Sequence, residues 1–207
     1  MGQKEPASAG SFFYRLLFGS DVKKNSHLLD SLLELQALDR LPRIGYSLRG
    51  VNEPESVAEH LFHTTFLVWA LGREIAGLDL ARALEIGLVH DLAETRLGDL
   101  PRTAAGYFPA GVKAAAERQI VADLLAPLPA ANAALLDYQQ GQSREAKLVG
   151  ICDKLQLLIK AWSYRQAGQK NLDEFFEGLA SFDDGGFEPV QQLLGELRRR
   201  LTSGEKA

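Results

Sequence analysis

"SVAEHLFHTTFLVWALGREIAGLDLARALEIGLVHDLAE", residues 56–94, is the stretch that decides the fold. Ser56-Val57-Ala58-Glu59 is a capping box: the Ser56 hydroxyl accepts from an early helical N–H, and Glu59 reaches back to the Ser56 amide. The box predicts a helix over 56–76. His60 falls in its first full turn, and His60, Thr64, Leu67 and Leu71 lie along one stripe. Asp79 is a good N-cap for a second helix through Ala81, Leu84, Ile86 and Leu88 to about Glu94. That helix ends in a contradiction. An apolar run, Ile86-Gly87-Leu88-Val89, gives way to His90, Asp91 and Glu94, three groups that prefer water on a segment built for burial.

Outward from this stretch the pattern stays helical. Leu28, Leu29, Leu32, Leu33, Leu35 and Leu38 repeat at three-and-four spacing in a helix beginning at Ser26. Further helices are predicted over 112–125, 130–139, 144–167 and 189–201. The loop 40–56 carries Pro42, Gly45, Gly50 and Pro54, and a loop this long inside a domain is often functional. A second loop covers 98–111. There is no alternating strand pattern, repeat or low-complexity region. The architecture is therefore all-α, a single-domain helical bundle. The domain is expected over 26–202, with a flexible N-terminal tail at 1–25 and a C-terminal tail at 203–207.

The chain has 207 residues, 46% of them hydrophobic, which is ordinary for a globular protein and enough for a substantial core. Its net charge of −4 argues against a partner that is a nucleic-acid polymer, which wants a basic face. A small phosphorylated ligand stays open, because one or two arginines suffice for it. No run approaches the roughly 18 apolar residues that span a bilayer, so no membrane role is expected. "SFFYRLLFG", residues 11–19, is short, is broken by Arg15 and lacks the order of a signal peptide. The single cysteine, Cys152, favours a reducing compartment, and a cytoplasmic protein is expected.

The helix over 144–167 is apolar on two sides. Leu148, Ile151, Cys152, Leu155, Leu158, Ile159 and Trp162 form one face, and Ala146, Val149 and Leu157 the other, so it belongs at the centre. Asp153 sits on that second side, where a carboxylate is costly unless a cation or several hydrogen bonds meet it. Taken singly, each ionisable residue has an ordinary reading. A histidine on an apolar helix is usually a satisfied core residue, His-Asp arises by chance, and Asp153 can pair with Lys147, Lys154 or Lys160. Together, His60, His90, Asp91 and Asp153 form an ordered set of two imidazoles and two carboxylates. Such a set suits a divalent first-row metal, and three helices can bring it together inside a bundle.

With "ESVAEHLFHTTFLVWAL", "ALEIGLVHDLAETRLGDLP" and "REAKLVGICDKLQLLIKAWSY" in view, the sequence resembles the HD-domain phosphohydrolases. Within them it is most similar to the 5′-deoxynucleotidase branch and its eukaryotic HD-domain-containing relatives. The likeness runs from about Leu32 to Tyr164. It implies an all-α fold of the HD-domain type, a homodimer, and metal ligation by His60, His90, Asp91 and Asp153. It also implies catalytic roles for Glu94 and Asp99, and phosphate binding by Arg43 in "LPRIGY". Glu94 could orient an attacking water, Asp99 a second water or the leaving group, and the planar fork of Arg43 could grip two phosphate oxygens. Manganese, cobalt, iron, nickel and zinc all fit mixed nitrogen and oxygen ligation.

Two departures stand out. The bacterial deoxynucleotidases carry an aromatic residue after the phosphate-binding arginine; here Ile44 follows, with Tyr46 two further on, so ribose against deoxyribose preference is not readable. Relatives also carry glutamates ahead of the last helix, where this chain has "DYQQGQ", residues 137–142. His63, Glu117, Glu145 and His27 are read as structural or solvated, and Cys152 as core. The function implied is a metal-dependent phosphomonoesterase acting on nucleoside, in particular deoxynucleoside, 5′-monophosphates. Two alternatives stand beside it: an HD phosphohydrolase acting on a triphosphate, cyclic dinucleotide or guanosine polyphosphate, and a non-catalytic helical metal-binding module.

Overall fold

The capping box forms as the sequence dictates. In the computed structural model, which describes residues 24–203, Ser56 Oγ accepts from Glu59 N–H at 3.1 Å, and Glu59 Oε2 accepts from Ser56 N–H at 2.7 Å. Among the described residues there are ten α-helices and no strand. They are α1 (Lys24–Leu35), α2 (Ile44–Ser47), α3 (Val57–Gly72), α4 (Leu80–Val89), α5 (Glu94–Leu97), α6 (Arg102–Ala105), α7 (Val112–Leu124), α8 (Pro129–Gln140), α9 (Arg144–Gln166) and α10 (Glu188–Ser203). Short 3-10 turns cover Gln36–Arg40, Asp173–Phe176 and Leu179–Ser181. Of the two expected tails, residues 1–23 and 204–207 lie outside the described residues. Lys24, Asn25 and Ser203 belong to helices. None of the helices described is long and apolar enough to cross a membrane.

The long helix α9 is the axis of the bundle. It packs against α3, α4 and α8, while α4 also lies against α3 and α8, and α7 closes on α8. Leu148, Val149, Cys152 and Leu155 are fully buried, so both sides of α9 are covered, as its two-sided apolar pattern requires. Burial pushes the Cys152 thiol up to about 12, which leaves it an inert core residue. Val68, Ala83, Ile86, Leu124, Leu135 and Leu194 complete the main core. In α1 the leucine stripe is only partly used: Leu29, Leu32 and Leu33 are exposed, and Leu38 on the following turn is buried.

Several boundaries differ from the sequence pattern. The first helix of the opening stretch stops at Gly72, not 76, and is followed by tight turns up to Gly77. The second does not continue to Glu94: α4 stops at Val89 with His90 as its cap. The cause is local. His90 Nδ1 donates to the Gly87 carbonyl at 2.8 Å, occupying the acceptor that the next helical amide would use. The chain then winds through i to i−3 bonds, such as Glu94 N–H to the Asp91 carbonyl at 3.0 Å, into α5. The two expected loops also each hold a single helical turn, α2 and α6. The loop 40–56 is stapled at its base, where Arg43 N–H donates to the Glu55 carbonyl at 2.9 Å and Val57 N–H to the Leu41 carbonyl at 2.8 Å.

Candidate metal and phosphate site

Two histidines reach the same interior point from different helices. His60 projects from the first turn of α3 and His90 from the end of α4, with ring centroids 5.6 Å apart. The Gly87 carbonyl can only accept, so His90 Nδ1 carries its ring hydrogen and Nε2 presents a lone pair. His60 Nδ1 lies 2.7 Å from Gln156 Oε1. Both Nε2 atoms are buried without a hydrogen-bond partner. An unpaired buried polar atom is costly, and two of them facing carboxylates need a common explanation.

The carboxylates come from α9 and from the turn after α4. Asp153 Oδ1 stands 3.1 Å from His60 Nε2, without the alignment of a hydrogen bond. Its other oxygen accepts from the Tyr138 hydroxyl of α8 at 3.1 Å. Asp91 Oδ2 lies 3.6 Å from each Nε2. His60, His90 and Asp153 offer ligand atoms all within 4.8 Å of one another; Asp91, though near both imidazoles, falls outside that set. Burial alone would raise Asp153; the protonated forms of His60 and His90, together with Arg43, act in the opposite direction and hold the carboxyl below the usual range. Two imidazole lone pairs and two carboxylates suit a divalent first-row cation, and the orphaned Nε2 atoms are what such an ion would satisfy.

Beside this cluster sits Arg43, the residue just before α2. Its Nη1 contacts Asp99 Oδ1 at 2.6 Å, Asp91 Oδ2 at 3.4 Å and Glu94 Oε1 at 3.7 Å. Burial by itself would lower the guanidinium pKa, but Asp91, Asp99 and Glu94 together hold it above its ordinary value. Asp99 also accepts from Ile44 N–H at 2.6 Å through its second oxygen, so one carboxylate fastens the side chain of Arg43 and the backbone that follows it. Gly98, at φ 73°, supplies the left-handed turn that brings Asp99 there. Glu94 is buried, with Oε2 unpaired. Burial, then the Asp91 charge, push its carboxyl up to about 9; a cation beside it acts in the opposite direction.

These groups open into a cleft of about 870 Å3. Arg43, Asp91, Glu94, Asp99 and Asp153 line it together with apolar Leu48, Phe175, Leu179 and Phe182. Tyr46, two residues beyond Ile44, is buried; its hydroxyl donates to the Leu157 carbonyl at 2.9 Å and its ring stacks on Phe175 at 5.1 Å. Its hydroxyl is thus committed to the backbone, while Ile44 contributes its amide to Asp99.

All seven residues singled out from the sequence, His60, His90, Asp91, Asp153, Glu94, Asp99 and Arg43, therefore meet at one place. Glu117, read as solvated, instead lines the cleft, paired with Lys113 at 2.6 Å and with Gln139 at 2.9 Å. His63 remains half-exposed, 3.9 Å from Glu55. Lys160, one proposed partner of Asp153, faces Glu55 at 3.6 Å. Within "DYQQGQ", Asp137 pairs with Arg82 at 3.2 Å, and Tyr138 reaches the site. Sequence reasoning missed Tyr138, Gln156 and Glu55. Gln156 carried one signal, since it lies three residues after Asp153 and so on a neighbouring face of α9.

Comparison with known proteins agrees with this geometry. Residues 35–185 match the model of the HD domain family. The 5′-deoxynucleotidase HDDC2 of Bos taurus is 31% identical over 180 residues, covering 83% of this chain and 84% of its own. The 5′-deoxynucleotidase hdd1 of Schizosaccharomyces pombe is 27% identical over 152 residues, covering 68% and 75%. Among solved structures, a conserved hypothetical protein from Pyrococcus furiosus superimposes with a TM-score of 0.73 at 33% identity, covering 83% of this chain and 99% of that one. With the family model matched over residues 35–185, most of the chain, the chain belongs to the HD domain family.

Proposed function

We propose that the protein is a metal-dependent phosphomonoesterase that hydrolyses nucleoside 5′-monophosphates, deoxynucleotides in particular, to nucleoside and phosphate. One observation carries this reading: the two orphaned Nε2 atoms of His60 and His90 face Asp91 and Asp153 at the cleft where Arg43 is held. The names of the relatives, 5′-deoxynucleotidases, support the substrate class.

His60, His90, Asp91 and Asp153 are the residues that would hold the ion, with manganese, cobalt, iron, nickel and zinc all compatible. The chemistry such an ion supplies when bound is acidification of a water and polarisation of a phosphoryl oxygen. Arg43 binds the phosphate. Asp99 uses only Nη1 of a five-donor fork, so the fork can hold phosphate oxygens while Asp99 keeps it in place. Glu94 presents the buried Oε2 to the attacking water and takes up its proton. The water oxygen bonds to phosphorus as the bond to the sugar O5′ breaks, and the nucleoside leaves with a proton from solvent. Phosphoryl transfer of this kind needs positioning and charge neutralisation more than covalent chemistry. Apolar Leu48, Phe175 and Phe182 accommodate the nucleoside. We further assign the protein to the cytoplasm, as a homodimer, the latter to be checked by sedimentation.

The test is a phosphate-release panel with metal-loaded protein. Selective release of inorganic phosphate from 5′-monophosphates is the expected result; release of pyrophosphate or tripolyphosphate from larger nucleotides assigns a different phosphorylated substrate. Asp91→Ala lowers turnover by about 100-fold or more, the scale of losing one charge-stabilising group, while circular dichroism keeps its helical signal. Undiminished activity in that variant defeats the enzyme assignment.

A further inference from the structure

We propose that Gln156 and Glu55 are positioning residues that dictate which ring nitrogen of His60 faces the metal position. The inference rests on the assignment of His60 as a ligand made above.

His60, Gln156 and Glu55 form one buried chain of polar contacts. His60 Nδ1 is 2.7 Å from Gln156 Oε1, and Gln156 Nε2 donates to Glu55 Oε2 at 2.8 Å. None of the three is more than 3% exposed, so water does not compete for these bonds. A glutamine amide can present either its oxygen or its NH2 to a histidine, and each choice selects a different ring tautomer. Glu55 removes the choice, because a carboxylate only accepts. It draws the NH2 of Gln156 to itself and turns Oε1 towards His60. Nδ1 must then carry the hydrogen, and Nε2 is left with its lone pair directed at Asp153 and Asp91. With the amide reversed, Nε2 would carry the hydrogen and point a donor at the place a cation must occupy.

Glu55 is itself held. Its amide donates to the Tyr164 hydroxyl at 2.6 Å, and Lys160 Nζ lies 3.6 Å from Oε2 and supplies the opposite charge. Its carbonyl accepts from the Arg43 amide at 2.9 Å, so the residue that orients the His60 relay also braces the phosphate arginine. His90 obtains the same tautomer from a backbone carbonyl; His60 obtains it from two side chains, which mutation can change.

The test is a Co(II) titration, followed by visible absorption, of the full chain and of His60→Ala, Gln156→Leu, Glu55→Gln and the exchange E55Q/Q156E. Nitrogen-15 spectra of the metal-free proteins, taken at a pH alkaline enough for His60 to be a neutral imidazole, report its tautomer. Gln156→Leu is expected to weaken Co(II) binding about 10- to 100-fold, the range for groups that orient a ligand, and to populate the Nε2–H form. Glu55→Gln gives a mixture of the two tautomers. The exchange places an acceptor against Nδ1 again and restores both affinity and tautomer, which a merely structural role would not do. Circular dichroism identifies any variant that fails to fold, and Glu55→Gln and the exchange then carry the test. Co(II) binding by a folded Gln156→Leu protein equal to that of the wild type, or an exchange that restores neither readout, overturns the proposal. If His60→Ala abolishes Co(II) binding and Gln156→Leu leaves it intact, only the relay falls. If His60→Ala itself binds Co(II) normally, the ligand assignment falls as well.

Discussion

Arg43 holds its charge among Asp91, Glu94 and Asp99, and that setting decides what replacing it does. A guanidinium can pair with Asp99 through one nitrogen and offer the rest of its fork to phosphate; an ammonium is a single point of charge and cannot do both in the same geometry. Arg43→Ala should lower kcat/KM for deoxynucleoside 5′-monophosphates by about 100- to 1,000-fold, the range for losing a donor aimed at developing charge. Arg43→Lys should recover only part of that loss, as steady-state kinetics will show. That the ordered histidines and aspartates come together was legible in the sequence, because buried ionisable groups on apolar helices need one another or a cation. The role of Asp99 was not: a Gly-Asp turn looks the same whether its carboxylate holds water or, as here, fastens Arg43 and Ile44.

At the scale of elements, α3 and α4 must lie close for His60 and His90 to meet, and Gly87 permits this. A Cβ on Gly87 would stand 3.1 Å from Thr65 Oγ1 and 3.6 Å from Thr65 Cα. Gly87→Val should therefore press the two helices apart, destabilise the protein by about 1–3 kcal/mol as overpacking does, and weaken metal binding, measured by melting and by Co(II) titration. The start of α3 offers a second prediction. Ser56→Ala should cost about 1 kcal/mol, or roughly 2–4 °C in Tm for a chain of this size. Hydrogen bonds from the Ser56 backbone, then its side chain, hold Glu59 below its ordinary value of 4.5. A carboxyl lowered in the folded state contributes stability that is complete above the unfolded value and disappears as pH falls through the folded one. The Tm gap between wild type and Glu59→Gln should thus be open at neutral pH and close as pH falls below 4.5 through the lowered folded value. Both helices were legible from their caps, Ser56 and Asp79. The break after Val89 was not, because it depends on a side chain capturing the Gly87 carbonyl rather than on any breaker residue.

On the scale of the whole molecule, the bundle gathers Asp91, Glu94, Asp99 and Asp153 around one cleft, and a cation bound there would offset their repulsion. Removing the ion should lower stability: at an ion concentration 100 times the dissociation constant the linkage is about 2.7 kcal/mol. Chelation should then reduce Tm by roughly 5–10 °C, reversed by adding metal back, with the converted figure following from the size of the chain. By itself the sequence determined what depends on near neighbours along the chain. Capping residues, three-and-four spacing and the absence of alternation dictate helices; two apolar sides on 144–167 dictate that this helix is central; the donor types dictate the chemistry. Only the tertiary structure decided which polar groups meet. That Gln156 answers to His60 and Glu55, that Tyr138 donates to Asp153, and that Glu117 turns into the cleft depend on how α3, α8 and α9 pack. The physical reason is range: a helix is closed by bonds to residues three and four away, whereas a buried side chain is satisfied by whatever atom the packing of distant segments brings within about 3 Å of it.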